Sequence, residues 1–199
     1  MNRTEKATLR LLQKEGIVRA REMEALGLSR TGIARLVEQG VIRRVGRGLY
    51  ALPDRDMPAN YALATAAKRI PKGVVCLLSA LQFHGLTTQL PREVWLAIGE
   101  KDWRPAPSDM RIRTVRFSPL SLREGVATHR VDGVRVRIFN PAKTVADCFK
   151  YRNKLGLDIA IEALRDCLRQ RRCTVDDIWR YAKVDRVSAV IRPYLEALA

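Results

Sequence analysis

Histidine, cysteine, acidic residues and long apolar runs are all scarce in this chain, and each scarcity removes a class of function. Only two histidines, His84 and His129, and four cysteines, Cys76, Cys148, Cys167 and Cys173, occur in 199 residues, and no Cys-x-x-Cys links them. Zinc sites draw on clustered Cys and His, so no metal site is expected. Apolar runs such as Val74–Leu78 are far too short to cross a bilayer, and no secretory signal opens the sequence. The expectation is a cytoplasmic protein with reduced thiols and no membrane partner.

Catalytic patterns are missing as well. There is no Gly-x-x-x-x-Gly-Lys-Ser/Thr phosphate loop and no Glu-x-Lys or Asp-x-Lys of a metal-dependent nuclease. A thiol nucleophile would need Cys148 or Cys76 beside His84 or His129, and nothing in their spacing suggests it. His84 reads as a packed or capping histidine and Asp147 as an interior polar contact. No enzymatic activity and no cofactor are expected.

Basic charge is what the chain has in excess. Lys and Arg number 37 against 21 acids, a net charge of +16, and the isoelectric point is near 10.5. Segments 1–53, 54–139 and 140–199 are each net positive. Such a surface attracts polyanions, and nucleic acid is the commonest of them.

Residues 19–52 turn that charge into a pattern. Ala20–Leu26 reads as a helix, Gly27-Leu28-Ser29 as a turn, Arg30–Gln39 as a second helix, and Val41–Ala51 as a basic two-stranded ribbon. This is the layout of a winged helix-turn-helix that binds double-stranded DNA. On the second helix Ile33, Leu36 and Val37 form the packing side, while Arg30, Thr31 and Arg35 face away, with Ser29 as cap. Arg30, Thr31 and Arg35 are the candidate base contacts. Arg43, Arg44 and Arg47 on the ribbon are the candidate phosphate or minor-groove contacts. Gly32 is out of place inside a helix, and a close approach of DNA or of the preceding helix would account for it.

Around this core the sequence predicts a first helix over Arg3–Lys14, capped by Asn2 or Thr4, and a short strand at Ile17-Val18 pairing with the ribbon. Pro53–Pro58 reads as a linker, giving domains 1–53 and 59–199 with a connection at 54–58. The second domain opens with a helix over Asn60–Arg69 and another capped by Ser79 and ending at His84-Gly85. Strands follow at Glu93–Ile98, Arg111–Phe117, Thr128–Val131 and Val134–Phe139, with Asp132-Gly133 as a hairpin turn. From Asn140 onward the chain is helical. The fold class expected is α+β, with a winged helix-turn-helix followed by a mixed domain that has a small antiparallel-rich sheet and a helical tail. Alternation sets Arg135 and Arg137 on one strand face, with Arg111, Arg113 and Arg130 similarly placed. These five form a second phosphate-contacting surface or an exposed face with local acid partners.

The sequence resembles the AbiEi family, antitoxins of abortive-infection (type IV) toxin–antitoxin pairs in phage defence. The resemblance rests on Gly48-Leu49-Tyr50-Ala51 closing the ribbon, on Ser79–Leu86, on Pro91–Ala97, and on Asn140–Lys150 with its Pro-x-Lys-Thr-x-x-Asp-Cys core. It implies a repressor that binds inverted repeats in its own promoter, monomeric in solution and assembling cooperatively on DNA. It also implies an antitoxin that opposes a nucleotidyltransferase toxin without a stable complex. Lys143, Thr144 and Asp147 fall on the family's C-terminal motif, either neutralising the toxin or holding the fold. The alternatives are a winged-helix regulator whose second domain senses a ligand or dimerises, and a nucleic-acid-processing enzyme.

Overall fold

Leu12, Val18, Met23, Leu28, Ile33, Leu36 and Ile42 are apolar residues spaced so that short helices and one strand can each turn a side inward. In the computed structural model, which describes residues 3–53, 60–102 and 110–198, they close into one small core. The helix α1 (Arg3–Glu15) leads to β1 (Val18–Arg19), α2 (Ala20–Glu24), α3 (Arg30–Glu38), β2 (Arg43–Gly46) and β3 (Leu49–Ala51). The three strands form an antiparallel sheet in the order β1-β3-β2, with Val18 opposite Tyr50 and Arg44 opposite Tyr50 from the other side. Asn2 lies outside the described residues and Thr4 sits within α1, so neither can be assigned the cap. The expected linker at 54–58 also lies outside the described residues.

The chain divides into two compact units. The first comprises residues 1–71, 105–111 and 129–136; the second comprises 72–104, 112–128 and 137–199. The first unit also holds α4 (Tyr61–Arg69).

The remaining elements are β4 (Val74–Val75), α5 (Leu77–His84), β5 (Val94–Gly99), β6 (Ile112–Phe117), α6 (Pro119–Arg123), β7 (Val126–Val131) and β8 (Val134–Phe139), then α7 (Pro141–Lys150), α8 (Arg152–Leu155), α9 (Leu157–Arg169), α10 (Val175–Val184) and α11 (Ser188–Glu196). Together the chain is α+β with helices and two sheets. The second sheet runs β6-β5-β4-β8-β7. It is mixed rather than antiparallel-rich: β5 runs parallel to β6 from Val94 opposite Ile112 to Gly99 opposite Phe117, and β4 runs parallel to β8 at Val75 opposite Ile138. Only β4 with β5 and the hairpin depart from this. Residue alternation reports which face is buried, not which direction the neighbouring strand runs.

The hairpin turn is as expected. Asp132 and Gly133 take φ of +49° and +83°, the paired left-handed conformations of a two-residue turn that matches strand twist. One face of the sheet, carrying Trp95, Ala97, Val115, Phe117 and Phe139, packs into a core shared with α5, α7, α9, α10 and α11. Asn140 caps α7 by accepting the Lys143 N–H at 2.9 Å, with Pro141 in the first turn. Ser79 is not a cap. It lies inside α5, and its hydroxyl accepts the Trp95 N–H at 3.0 Å, tying helix to strand. His84 is packed, with Nε2 2.7 Å from the Phe139 carbonyl oxygen.

Candidate nucleic-acid interface

The helix α3 starts where the sequence lets it. Ser29 is extended, and its Oγ accepts the Gly32 N–H at 3.1 Å, satisfying one first-turn amide. Ile33 and Leu36 are 3% and 1% exposed, so the helix is fixed in rotation. That leaves Arg30, Thr31, Ala34, Arg35 and Glu38 on the exposed side. All three candidate base contacts are therefore open to solvent.

None of the three is slack. The Ser29 and Thr31 hydroxyls are 2.9 Å apart. Arg30 Nε donates to Glu24 Oε1 at 2.9 Å on the surface, a solvent-screened pairing readily exchanged for a phosphate or base. Arg35 donates from Nη2 to Glu5 of α1, whose side chain is 7% exposed while that of Arg35 is 55% exposed. Glu5 thus holds one edge of the guanidinium and leaves the rest open to solvent.

Gly32 has a local explanation. A Cβ there would stand 2.9 Å from Leu28 Cδ1 and 3.3 Å from Ser29 Oγ. Leu28 is 4% exposed and belongs to the core. The helix must run close to its own preceding turn, which is the approach that glycine permits.

On the ribbon, Arg47 sits exposed at the turn with Gly48, whose φ is +68°, and Arg44 is exposed beside it. Arg43 differs from expectation. It is half-buried, its Nε lies 3.4 Å from the Leu52 carbonyl oxygen, and its guanidinium stands 6.0 Å from the Tyr61 ring centre. Successive strand residues point to opposite faces, so Arg43 and Arg44 cannot both face outward.

The five arginines of the second basic surface do not converge as a set. Arg113 lies 4.3 Å over the Trp95 ring and pairs with Glu93 at 3.0 Å. Arg137 donates to the Lys72 carbonyl oxygen at 2.9 Å. Their strands, β6 and β8, are separated by β5 and β4, about 14 Å at ordinary strand spacing. Arg130 is paired with Glu15 at 3.6 Å. Arg111 and Arg135 are exposed. Local carboxylates offset two of the five charges, those of Arg113 and Arg130.

Lys143, Thr144 and Asp147 are fully buried. Lys143 Nζ donates to Asp147 Oδ1, to Asp185 Oδ2 at 3.1 Å and to Ser121 Oγ at 3.2 Å, and lies 4.6 Å from the Phe139 ring centre. Ser121 donates to Asp185 at 2.6 Å. Burial pulls the Lys143 ammonium down, but Asp147 and Asp185 together hold it above its ordinary value. Burial drives the Asp147 carboxyl well above the usual carboxylate range despite Lys143. Burial also pushes Asp185 upward, yet Lys143, its hydrogen bonds and Lys150 leave it below its ordinary value. The two carboxyls around Lys143 are thus shifted in opposite directions, Asp147 up and Asp185 down. Thr144 donates to the Asn140 carbonyl oxygen at 2.8 Å. The motif fastens α7 to α6 and to the end of α10. Sequence reasoning missed Ser121 and Asp185, which stand 22 and 42 residues from Lys143 with no periodic signal to link them.

No group of three or more His, Cys, Asp or Glu side chains placed to hold a metal occurs among the described residues. Nor is any helix among them long and apolar enough to cross a membrane.

Residues 6–53 match the family model described as "Transcriptional regulator, AbiEi antitoxin". That match spans the elements from α1 to β3, so the similarity to AbiEi transcriptional regulators lies in the N-terminal segment. No curated protein matches the chain. Among solved structures, the RV2827C protein from Mycobacterium tuberculosis is similar over 100% of this chain and 81% of its own, at a TM-score of 0.61 and 13% identity. At that identity the likeness speaks for the fold alone.

Proposed function

We propose that this protein is a DNA-binding transcriptional autorepressor that acts as antitoxin against a nucleotidyltransferase toxin, without a stable complex between the two. The observation that carries the DNA reading is the outward face of α3, with Arg30, Thr31 and Arg35 exposed over a core sealed by Ile33 and Leu36. Residues 1–53 are then a winged helix-turn-helix: α3 enters the major groove, and Arg44 and Arg47 on the ribbon lie against the backbone. The antitoxin role falls to the rest of the chain. The buried motif of Lys143, Thr144 and Asp147 supports a fold-holding role there, leaving any toxin-opposing contact to exposed residues. The protein acts in the cytoplasm, as a monomer that assembles cooperatively on inverted repeats of its own promoter, and without enzymatic activity. In keeping with that last point, burial pushes the Cys76 and Cys148 thiols well up, away from the thiolate that nucleophilic chemistry needs.

The test is a footprint of the full chain on the DNA upstream of its own gene, paired with co-expression beside an adjacent nucleotidyltransferase. Protection of an inverted repeat and rescue from toxicity are the expected results. Binding with no preference over random DNA removes the autorepressor, and failure to rescue removes the antitoxin. Metal-dependent cleavage of nucleic acid by the pure protein would restore the enzyme reading.

A further inference from the structure

A cavity of about 240 Å³ in the first unit has no place in the reading so far. Arg19 and Arg21 line it at the start of α2, Arg47 at the ribbon turn, and Lys68 and Arg69 at the end of α4. Among the described residues, Glu22 is a carboxylate fastened to this wall. Glu22 takes Lys68 Nζ at 3.0 and 3.1 Å and the Arg19 backbone N–H at 2.6 Å. The walls are fastened together, because the Ala20 N–H donates to the Gly48 carbonyl oxygen at 2.9 Å and Arg19 pairs with Leu49 across the sheet.

Two features of this cavity are unfavourable as it stands. Arg19 Nη2 is buried with no hydrogen-bond partner among the described residues, and an unmatched buried donor is destabilising. Burial and the nearby Arg21 charge also hold the Arg19 guanidinium below its ordinary value. An oxyanion held among Arg19, Arg21 and Lys68 offsets their mutual repulsion. Guanidinium forks match the spacing of phosphate oxygens, which favours phosphate over a spherical anion. Drug-sized ligand pockets run to about 300–1,000 Å³, so this one takes a phosphate or diphosphate group rather than a whole nucleotide.

We propose that the cavity lined by Arg19, Arg21 and Lys68 is a binding site for a phosphate group, carried by the DNA backbone or by a small free molecule. Only the first source rests on the DNA-binding reading.

The experiment titrates the full chain with inorganic phosphate and pyrophosphate at constant ionic strength, with chloride as control, following thermal stability and phosphorus NMR. In parallel, the salt dependence of duplex binding is measured. Arg19→Met should weaken phosphate binding by about tenfold or more, the effect of one charge-assisted hydrogen bond. Arg21→Ala, at an exposed position, gives the same direction should Arg19→Met fail to fold. A fall of about one in salt slope for Arg21→Ala assigns the site to a backbone phosphate. Saturable phosphate binding lost in the variants, with an unchanged slope, assigns it to a free phosphorylated molecule. No saturable binding together with an unchanged slope overturns the site. A protein that binds phosphate saturably but no duplex sinks the DNA reading and leaves the site standing.

Discussion

Arg35 on α3 and Glu5 on α1 form an ion pair in which the carboxylate is buried and the guanidinium is half outside. The pair joins recognition to stability, because the arginine aimed at DNA is also the counter-charge of an interior acid. Orientation of the guanidinium by a buried partner removes rotamer freedom that binding would otherwise have to remove.

Arg35→Ala should therefore act twice. Preference for the native operator over random DNA should fall by roughly ten- to a hundredfold, the range of one bidentate base contact. Thermal stability should fall too, because the buried Glu5 carboxylate loses the Arg35 ion pair. The double variant Glu5→Gln/Arg35→Ala should recover stability without recovering preference, as read by melting and by competition binding. Full operator preference in Arg35→Ala would remove this residue from the base contacts.

Arg47 is expected to contribute affinity without sequence information. Arg47→Ala should weaken binding to all duplexes alike and lower the salt slope by about one, or leave the slope intact if the ribbon turn does not meet phosphate. Binding isotherms at several salt concentrations decide between them.

The two interior aspartates should respond oppositely to the same substitution. Asp185→Asn removes the carboxylate that neutralises buried Lys143, and should cost about 3–5 kcal/mol in urea unfolding. Asp147→Asn keeps an oxygen acceptor toward Lys143 while removing a group whose ionisation burial opposes, and should be tolerated far better. Their pH dependences differ in sign. The depressed Asp185 stabilises above about pH 4, and that stability is lost as pH falls through its folded value. The raised Asp147 holds its proton in the fold while the unfolded chain releases it, so stability declines as pH climbs above about 4. Asp147→Asn should abolish that decline, gaining on the native protein steadily with pH. Parallel curves for the two proteins would show Asp147 ionised in the fold.

Gly32→Ala should destabilise despite the gain of about 1 kcal/mol in helix propensity. Its Cβ would meet Leu28 Cδ1 at 2.9 Å and Ser29 Oγ at 3.3 Å, so the buried Leu28 side chain would have to shift within its core. Overpacking of this kind costs about 1–3 kcal/mol, so the melting temperature should drop. A rise would mean the turn yields.

Local chemistry was enough to read much of this from residues alone. Ser29 as cap, Ile33 and Leu36 as the inward side of α3, Asp132-Gly133 as a hairpin and Asn140-Pro141 as a helix start all follow from short-range hydrogen bonding and residue spacing, which the sequence by itself determined. Tertiary structure decided what depends on distant neighbours. It turned Arg43 toward Leu52 and Tyr61, gave Arg35 a partner 30 residues away, and set β5 parallel to β6. It also buried Lys143 between Asp147 and Asp185, converting a motif that looked available to a partner into an interior charge network. Periodicity records which way a side chain points relative to its own helix or strand; only the packed chain determines what stands opposite it.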